Sequence, residues 1–252
     1  MSTLELSING KNYKASYIEY GRGDSVLLVY HGFGQKKEDY DSLTRLYPNH
    51  KLIVFDLYDH GESSSVRNHA DLIELYLSTF DEVLRVKGLK EVSVLGFSIG
   101  TRIATVITSN RIKQIKELTL VAPDVSPEPL AFRILMRSPL RFLFFFFARF
   151  HWTLLGLLFL LKSILGSPFK FYYRLWEQKK YRRRLVNKWN GLRNSRKYID
   201  WKTISRKLKV YTLRDEDMLN NDKIRFFYKS LNVTVEELPM SHYAFPRELK
   251  ED

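Results

Sequence analysis

The chain has 252 residues, 44% of them hydrophobic, with no cysteine and a formal net charge of +13. That apolar share can fill one sizeable α/β domain, or a domain carrying a substantial insertion, and it excludes wholesale disorder. The lack of cysteine excludes disulfides, thiolate metal sites and a cysteine nucleophile, and it fits a reducing compartment. The charge is unevenly placed: residues 125–200 hold 16 Lys/Arg against 3 Asp/Glu, together with ten of the 17 Phe, whereas the remainder carries 25 residues of each sign. A neutral scaffold interrupted by a basic, aromatic block implies two parts with different jobs.

Taken in order, the chain opens on Leu4–Ile8, an Asn9-Gly10 turn and Lys14–Tyr20, which reads as a β-hairpin because both turn positions require positive φ. The start has neither a basic run nor an apolar stretch, so no cleavable signal peptide is expected and a cytoplasmic setting is the default. Val26–Tyr30 and Leu52–Phe55 are short apolar runs of the kind buried on both faces of a sheet, with a polar stretch of helical spacing between them. A helix is expected from Asp71 to Val86, with Leu72, Leu75, Tyr76, Phe80, Val83 and Leu84 on one face. Val92–Gly96 and Leu118–Ala122 continue the alternation around another helix, which implies a mostly parallel sheet flanked by helices. After Pro123 the pattern breaks for about 80 residues. It resumes at Lys209–Leu213, a helix near Asp222–Ser230, and a strand at Val233–Glu237. The expected organisation is therefore a core of residues 1–124 and 201–252 with an inserted helical cap, residues 125–200.

Gly96-Phe97-Ser98-Ile99-Gly100 directly follows an expected strand and precedes an expected helix. In that context G-x-S-x-G is a strand-to-helix elbow that exposes a serine hydroxyl, with Ser98 as nucleophile. The following helix aims its N-terminus at the site, and the Ile99 N–H is one expected donor to a developing oxyanion. His31-Gly32-Phe33-Gly34 follows the Val26 strand, and the Phe33 N–H is the second expected donor. His31 itself is read as a structural residue that holds this loop.

On these motifs the chain resembles the α/β-hydrolase superfamily, in particular its small esterase, lipase and carbon–carbon hydrolase members. HGFG, the stretch Asp56-Leu-Tyr-Asp-His-Gly-Glu-Ser63, GFSIG, an acid and a final His occur in the order that family shows. The resemblance implies the α/β-hydrolase fold over nearly everything outside the cap. It also implies a structural role for the Asp56–Ser63 loop. His242, in Pro239-Met-Ser-His-Tyr243, follows the last strand and is the expected general base, since an imidazole titrates near neutrality. The acid that holds its tautomer is expected at Asp217, which matches the family position after the Val210 strand. Asp215, two residues earlier, and Asp124, after the preceding strand, stay open as alternatives. Ten residues follow His242, so any closing helix is expected to be short.

Within the cap, Leu140–Leu161 is very apolar but broken by Arg141, Arg149 and His151. Its longest uncharged run, Trp152–Leu161, falls short of the roughly 20 residues a membrane span needs. Arg133, Arg137 and Arg141 recur four apart beside Leu130, Ile134 and Leu135, and Tyr181-Arg-Arg-Arg184 adds further charge. One reading packs the apolar residues onto the sheet and leaves the basic ones in water. The other offers apolar side chains to acyl groups and a basic rim to an anionic membrane surface. A nucleic-acid partner fits poorly with a complete hydrolytic constellation. The sequence does not define an oligomeric state.

Together these features point to a serine hydrolase acting on a hydrophobic small-molecule or lipid ester. Thioester or carbon–carbon cleavage, or acyl transfer, is open on the same triad. A membrane-associated binding protein on a retired hydrolase fold is the non-enzymatic alternative. With no HExxH, P-loop or dinucleotide fingerprint, no metal or organic cofactor is expected.

Overall fold

The computed structural model describes residues 2–66, 71–123, 199–216, 219–247 and 249. It opens on a hairpin, β1 (Ser2–Ile8) and β2 (Lys11–Tyr20), in which Ile8 stands opposite Lys11. Asn9 and Gly10 take φ of 51° and 72°, the pair of positive values that a two-residue hairpin turn needs. Six further strands follow: β3 (Ser25–Tyr30), β4 (His50–Phe55), β5 (Val92–Phe97), β6 (Ile115–Val121), β7 (Leu208–Asp215) and β8 (Val235–Ser241). They form one eight-stranded sheet in the order β1-β2-β4-β3-β5-β6-β7-β8, antiparallel through the hairpin and parallel from β4 onward.

The apolar runs are buried on both faces, as parallel strands between helices must be. Along β3, Val26, Leu28 and Tyr30 join one core layer while Leu27 and Val29 join the other, following the two-residue period of a strand. The first layer is closed by α2 (Leu72–Lys87), α3 (Gly100–Asn110) and α5 (Asn221–Lys229). Helix α2 buries Leu72, Leu75, Tyr76, Phe80, Val83 and Leu84, the face its spacing predicts, and adds Thr79. It stops where Gly88 adopts the left-handed conformation at φ 63°. The second layer is closed by a 3-10 turn at Lys37–Tyr40, the one-turn helix α1 (Leu43–Leu46), and Phe245 and Leu249 near the C-terminus. Among the described residues no helix is long and apolar enough to cross a membrane.

The expected cap, residues 125–200, lies outside the described residues except for Ile199 and Asp200. Ile199 packs against the first core layer, and Asp200 caps α4 (Trp201–Ile204) by accepting the Thr203 N–H. From there the chain enters β7, which pairs with β6 from Leu118 opposite Leu208. The last strand departs from the sequence reading. Val233 donates its N–H to the Tyr228 carbonyl and is buried at the end of α5, so the strand begins at Val235 and runs through Pro239 to Ser241. Among the described residues β8 is the edge strand of the sheet, a place where proline is tolerated.

A buried cation ties the 3-10 turn to the loop after β4. The Lys37 side chain is only 1% exposed, and its Nζ lies 2.6 Å from Asp56 Oδ2, 3.0 Å from Glu38 and 3.3 Å from Glu62. Burial opposes the ammonium, but its hydrogen bonds to Asp56 and Glu38 win and hold its pKa above the ordinary lysine value. Asp56 is satisfied in turn by the N–H groups of Lys37 and Glu62. Removing one partner of such a pair strands the other charge in the interior. Lys37→Met is therefore expected to lower unfolding free energy by about 3–5 kcal/mol, read from urea denaturation. The double variant Lys37→Met/Asp56→Leu should recover a large part of that loss. A single variant as stable as the parent would show that the pair contributes nothing.

Candidate active site

The loops that follow β3, β4, β5, β7 and β8 gather at one end of the sheet, the carboxyl end of its parallel strands. Strand β3 is followed in sequence by β4 on one side of it, whereas β5 lies on the other, so the loops after β3 and β5 flank the topological switch point.

Two residues separate β5 from α3, and Ser98 makes the turn with φ 49°. This left-handed conformation is costly for a residue with a Cβ, and it persists only where the surroundings enforce it. The Ser98 N–H donates to the Val121 carbonyl at 3.0 Å, tying the turn to β6. The Ser98 carbonyl accepts the N–H and the hydroxyl of Thr101. Glycine on either side is a steric requirement. A Cβ on Gly96 would lie 2.7 Å from the Gly100 carbonyl oxygen and the Thr101 Cα; one on Gly100 would strike the carbonyl of Tyr30 at the end of β3.

The loop after β3 is cross-braced. Leu57 N–H donates to His31 Nε2 at 3.0 Å, which leaves Nδ1 to carry the proton toward the Gly32 carbonyl 2.6 Å away. The His31 ring meets His60 edge-on at 5.0 Å, and Phe33 meets His60 edge-on at 5.5 Å. Gly32 N–H donates to Gln35 Oε1 and Tyr40 Oη, and Gly34 N–H points at His60 Nε2.

His242 follows β8 immediately. Its ring packs on Phe97, the residue before Ser98, with centroids 4.8 Å apart. Its Nδ1 lies 2.8 Å from Glu216 Oε2, in a pair whose side chains are 9% and 1% exposed. Register explains the pairing. Asp215 stands opposite Ser241 at the ends of β7 and β8, so the next residues, Glu216 and His242, leave the sheet side by side.

Residues 26–249 match the model of the alpha/beta hydrolase family. The chain belongs to that family. It is 33% identical over 111 residues to lipase 1 of Psychrobacter immobilis, a match covering 43% of this chain and 35% of the lipase. The chain thus aligns with about a third of that relative's length. Among solved structures it resembles the thioesterase domain from the curacin biosynthetic pathway, with TM-score 0.64, 17% identity, and 97% and 94% of the two chains covered. A membrane phospholipase A, described as a bacterial virulence factor, superposes with TM-score 0.60 at 19% identity over 96% of this chain and 78% of that one. At such identities the structural likeness concerns the fold.

In this family member the structure brings Ser98, Ile99, Phe33 and His242 to the same end of the sheet. Asp215 ends β7 with an exposed side chain, while Asp217 and Asp124 lie outside the described residues. Glu216 is not among the acids expected from the sequence. No local pattern marks it: Arg214 and Asp215 are both exposed, and the register of β7 against β8 shifts between Leu213 and Asp215, so the partner of His242 is set by the pairing of the two strand ends.

Gly100 supplies the sharpest test of this geometry. Gly100→Ala drives a methyl group into the backbone at the end of β3. A destabilisation of about 3 kcal/mol is expected in urea denaturation, at the upper end of overpacking costs. A variant as stable as the parent would mean that α3 can retreat from β3 without penalty.

Proposed function

We propose that this chain is a serine hydrolase cleaving carboxylic esters of hydrophobic, including lipid, substrates, with Ser98, His242 and Glu216 as its triad. The observation that carries the reading is the buried Glu216 carboxylate 2.8 Å from His242 Nδ1, with the imidazole packed at a tilt against the residue beside the strained Ser98. A carboxylate on Nδ1 directs Nε2 to act as base. Ser98 Oγ attacks the ester carbonyl while His242 takes its proton, and Glu216 stabilises the resulting imidazolium. The N–H groups of Phe33 and Ile99 stabilise the oxyanion. His242 then returns the proton to the leaving alcohol. The acyl-enzyme is released when His242 activates a water, which restores Ser98 and yields the carboxylic acid. The partial match to a lipase supports an ester substrate.

Ser98→Ala should remove turnover of p-nitrophenyl esters, a loss of up to about a millionfold, while leaving the fold intact. Glu216→Gln should cost about 10³-fold or more in kcat, and Asp215→Asn and Asp124→Asn very little. If Asp217→Asn is the crippling change and Glu216→Gln is not, the acid lies one residue further on. Failure of the parent protein to react with a fluorophosphonate probe would favour the non-catalytic binding reading.

The charge partition supports a second element of the proposal: residues 125–200 cover the site as a cap whose basic rim engages anionic membranes reversibly. All of the net charge of +13 falls in that segment. Each Lys or Arg near an anionic surface contributes about 1 kcal/mol, so a handful suffices for binding. Co-sedimentation with anionic vesicles is expected at low salt. It should weaken at about 1 M salt, where the Debye length falls from about 10 Å to 3 Å. Equal binding to neutral vesicles, unaffected by salt, would remove the electrostatic argument.

A further inference from the structure

One side chain bridges the two loops that the proposed chemistry must hold in register. Gln35 follows the HGFG stretch, and its amide has partners on both ends. Oε1 accepts the Gly32 N–H at 2.9 Å and the Tyr40 hydroxyl at 2.6 Å, while Nε2 donates to the Phe245 carbonyl at 2.7 Å. The partners themselves fix this orientation. A backbone N–H can only donate and a backbone carbonyl can only accept, so reversing the amide would break contacts at both ends. Tyr40 is fully buried and burial pushes its pKa well up, so it remains a neutral phenol able to donate. Phe245 lies three residues beyond His242 in the same turn, where the N–H groups of Ala244 and Phe245 fold back on the Ser241 carbonyl.

The apolar contacts run the same way. Phe97 packs at a tilt against both His242 and Phe245, and Tyr40 meets Phe245 edge-on. Gly32 approaches Phe97 so closely that a Cβ would fall 2.6 Å from its ring and 2.8 Å from Gln35 Oε1. The Gln35 amide is therefore the polar pin of a small closed cluster with Phe97 at its centre. The outer part of the same C-terminal stretch is held separately, by Ser42 Oγ on the Pro246 carbonyl, Arg45 on the Leu249 carbonyl, and Arg247 on Asp39.

We infer that Gln35 is a positioning residue for the proposed hydrolysis: its single amide sets the spacing between the oxyanion loop and the loop bearing His242. The inference rests on the Ser98–His242 reading. Glutamine fits the role because one planar group must accept on one side and donate on the other. Methionine matches its length and does neither; glutamate keeps the accepting side and turns a repelling oxygen toward the Phe245 carbonyl.

The test compares Gln35→Met and Gln35→Glu with the parent and with Ser98→Ala, using p-nitrophenyl butyrate turnover and hydrogen–deuterium exchange. Gln35→Met should speed exchange in the peptides covering 31–36 and 242–247 while leaving the β1–β2 hairpin and α2 unchanged. Gln35→Glu should loosen mainly 242–247. Both should lower kcat, by up to about 10²-fold for a displacement near 1 Å, with KM nearly unchanged. A merely structural contact would lower the thermal midpoint without this kcat-specific loss. Ser98-dependent turnover that survives Gln35→Met at the parental kcat would overturn the inference and leave the hydrolase reading intact. So would unchanged exchange in 242–247. Absence of Ser98-dependent turnover in the parent protein would instead sink the hydrolase reading, and the positioning role with it.

Discussion

The close approach of α3 to the end of β3 is the constraint on which the site depends. Gly100 lies against the Tyr30 and His31 carbonyls, where a methyl group has no room, and Gly96 lets the chain reverse beneath it. With those two contacts fixed, Ser98 is forced into the left-handed region and lifted clear of the sheet. The same approach sets the N-terminus of α3 beside the HGFG loop, so the strain at one residue and the proximity of two loops have a single cause. Strain of this kind costs on the order of 1–3 kcal/mol. Around it lies a sheet whose central strands β3, β4, β5 and β6 are buried on both faces, each such Leu, Val or Phe contributing about 1.5–3 kcal/mol when removed from water.

Around the elbow, the loops at this end are joined to one another by side chains more than by their own backbones. His31 reaches from the loop after β3 to Leu57 after β4; Lys37 reaches from the 3-10 turn to Asp56 and Glu62; Gln35 reaches to Phe245. Each link satisfies a polar group that would be expensive to bury alone. That explains why histidine, aspartate and lysine can stand at 3% exposure or less in His31, His60, Asp56 and Lys37. The Asp56–Ser63 stretch is thereby accounted for as scaffolding. Its Ser63 hydroxyl and that of Ser64, the next residue, accept the N–H groups of Ser16 and Lys14 on β2, and Asp59 Oδ1 accepts the Val66 N–H.

Most of the sheet was legible because its signals are local. Asn9-Gly10 specified the hairpin, the Val26 and Leu52 runs specified buried parallel strands, and the spacing of α2 named its buried face. The elbow was legible for the same reason, since G-x-S-x-G draws its meaning from the strand before it and the helix after it. Two features were not. Val233 reads as a strand residue by composition, yet its N–H is taken by the end of α5, and only the tertiary arrangement decides between the two. The partner of His242 depends on the register of β7 against β8, which pairs residues 26 apart and leaves no mark in either segment.

The choice of Glu216 over the exposed Asp215 follows from that register and from reach. Strand β7 is irregular at this end, where its register against β8 shifts between Leu213 and Asp215, and the two acids are not interchangeable. Asp215 faces water, whereas Glu216 turns inward at the level of His242. A glutamate carries one more methylene than an aspartate, so its carboxylate can leave the strand end and still meet the imidazole from within the protein, where water does not compete for it. With Oε2 on Nδ1 and Phe97 against the ring, the imidazole is held both in its plane and across it. Its remaining nitrogen is then directed by two residues, one of them the immediate neighbour of Ser98. His242 and Ser98 are thus referenced to the same short piece of β5, and a shift of that strand end carries both.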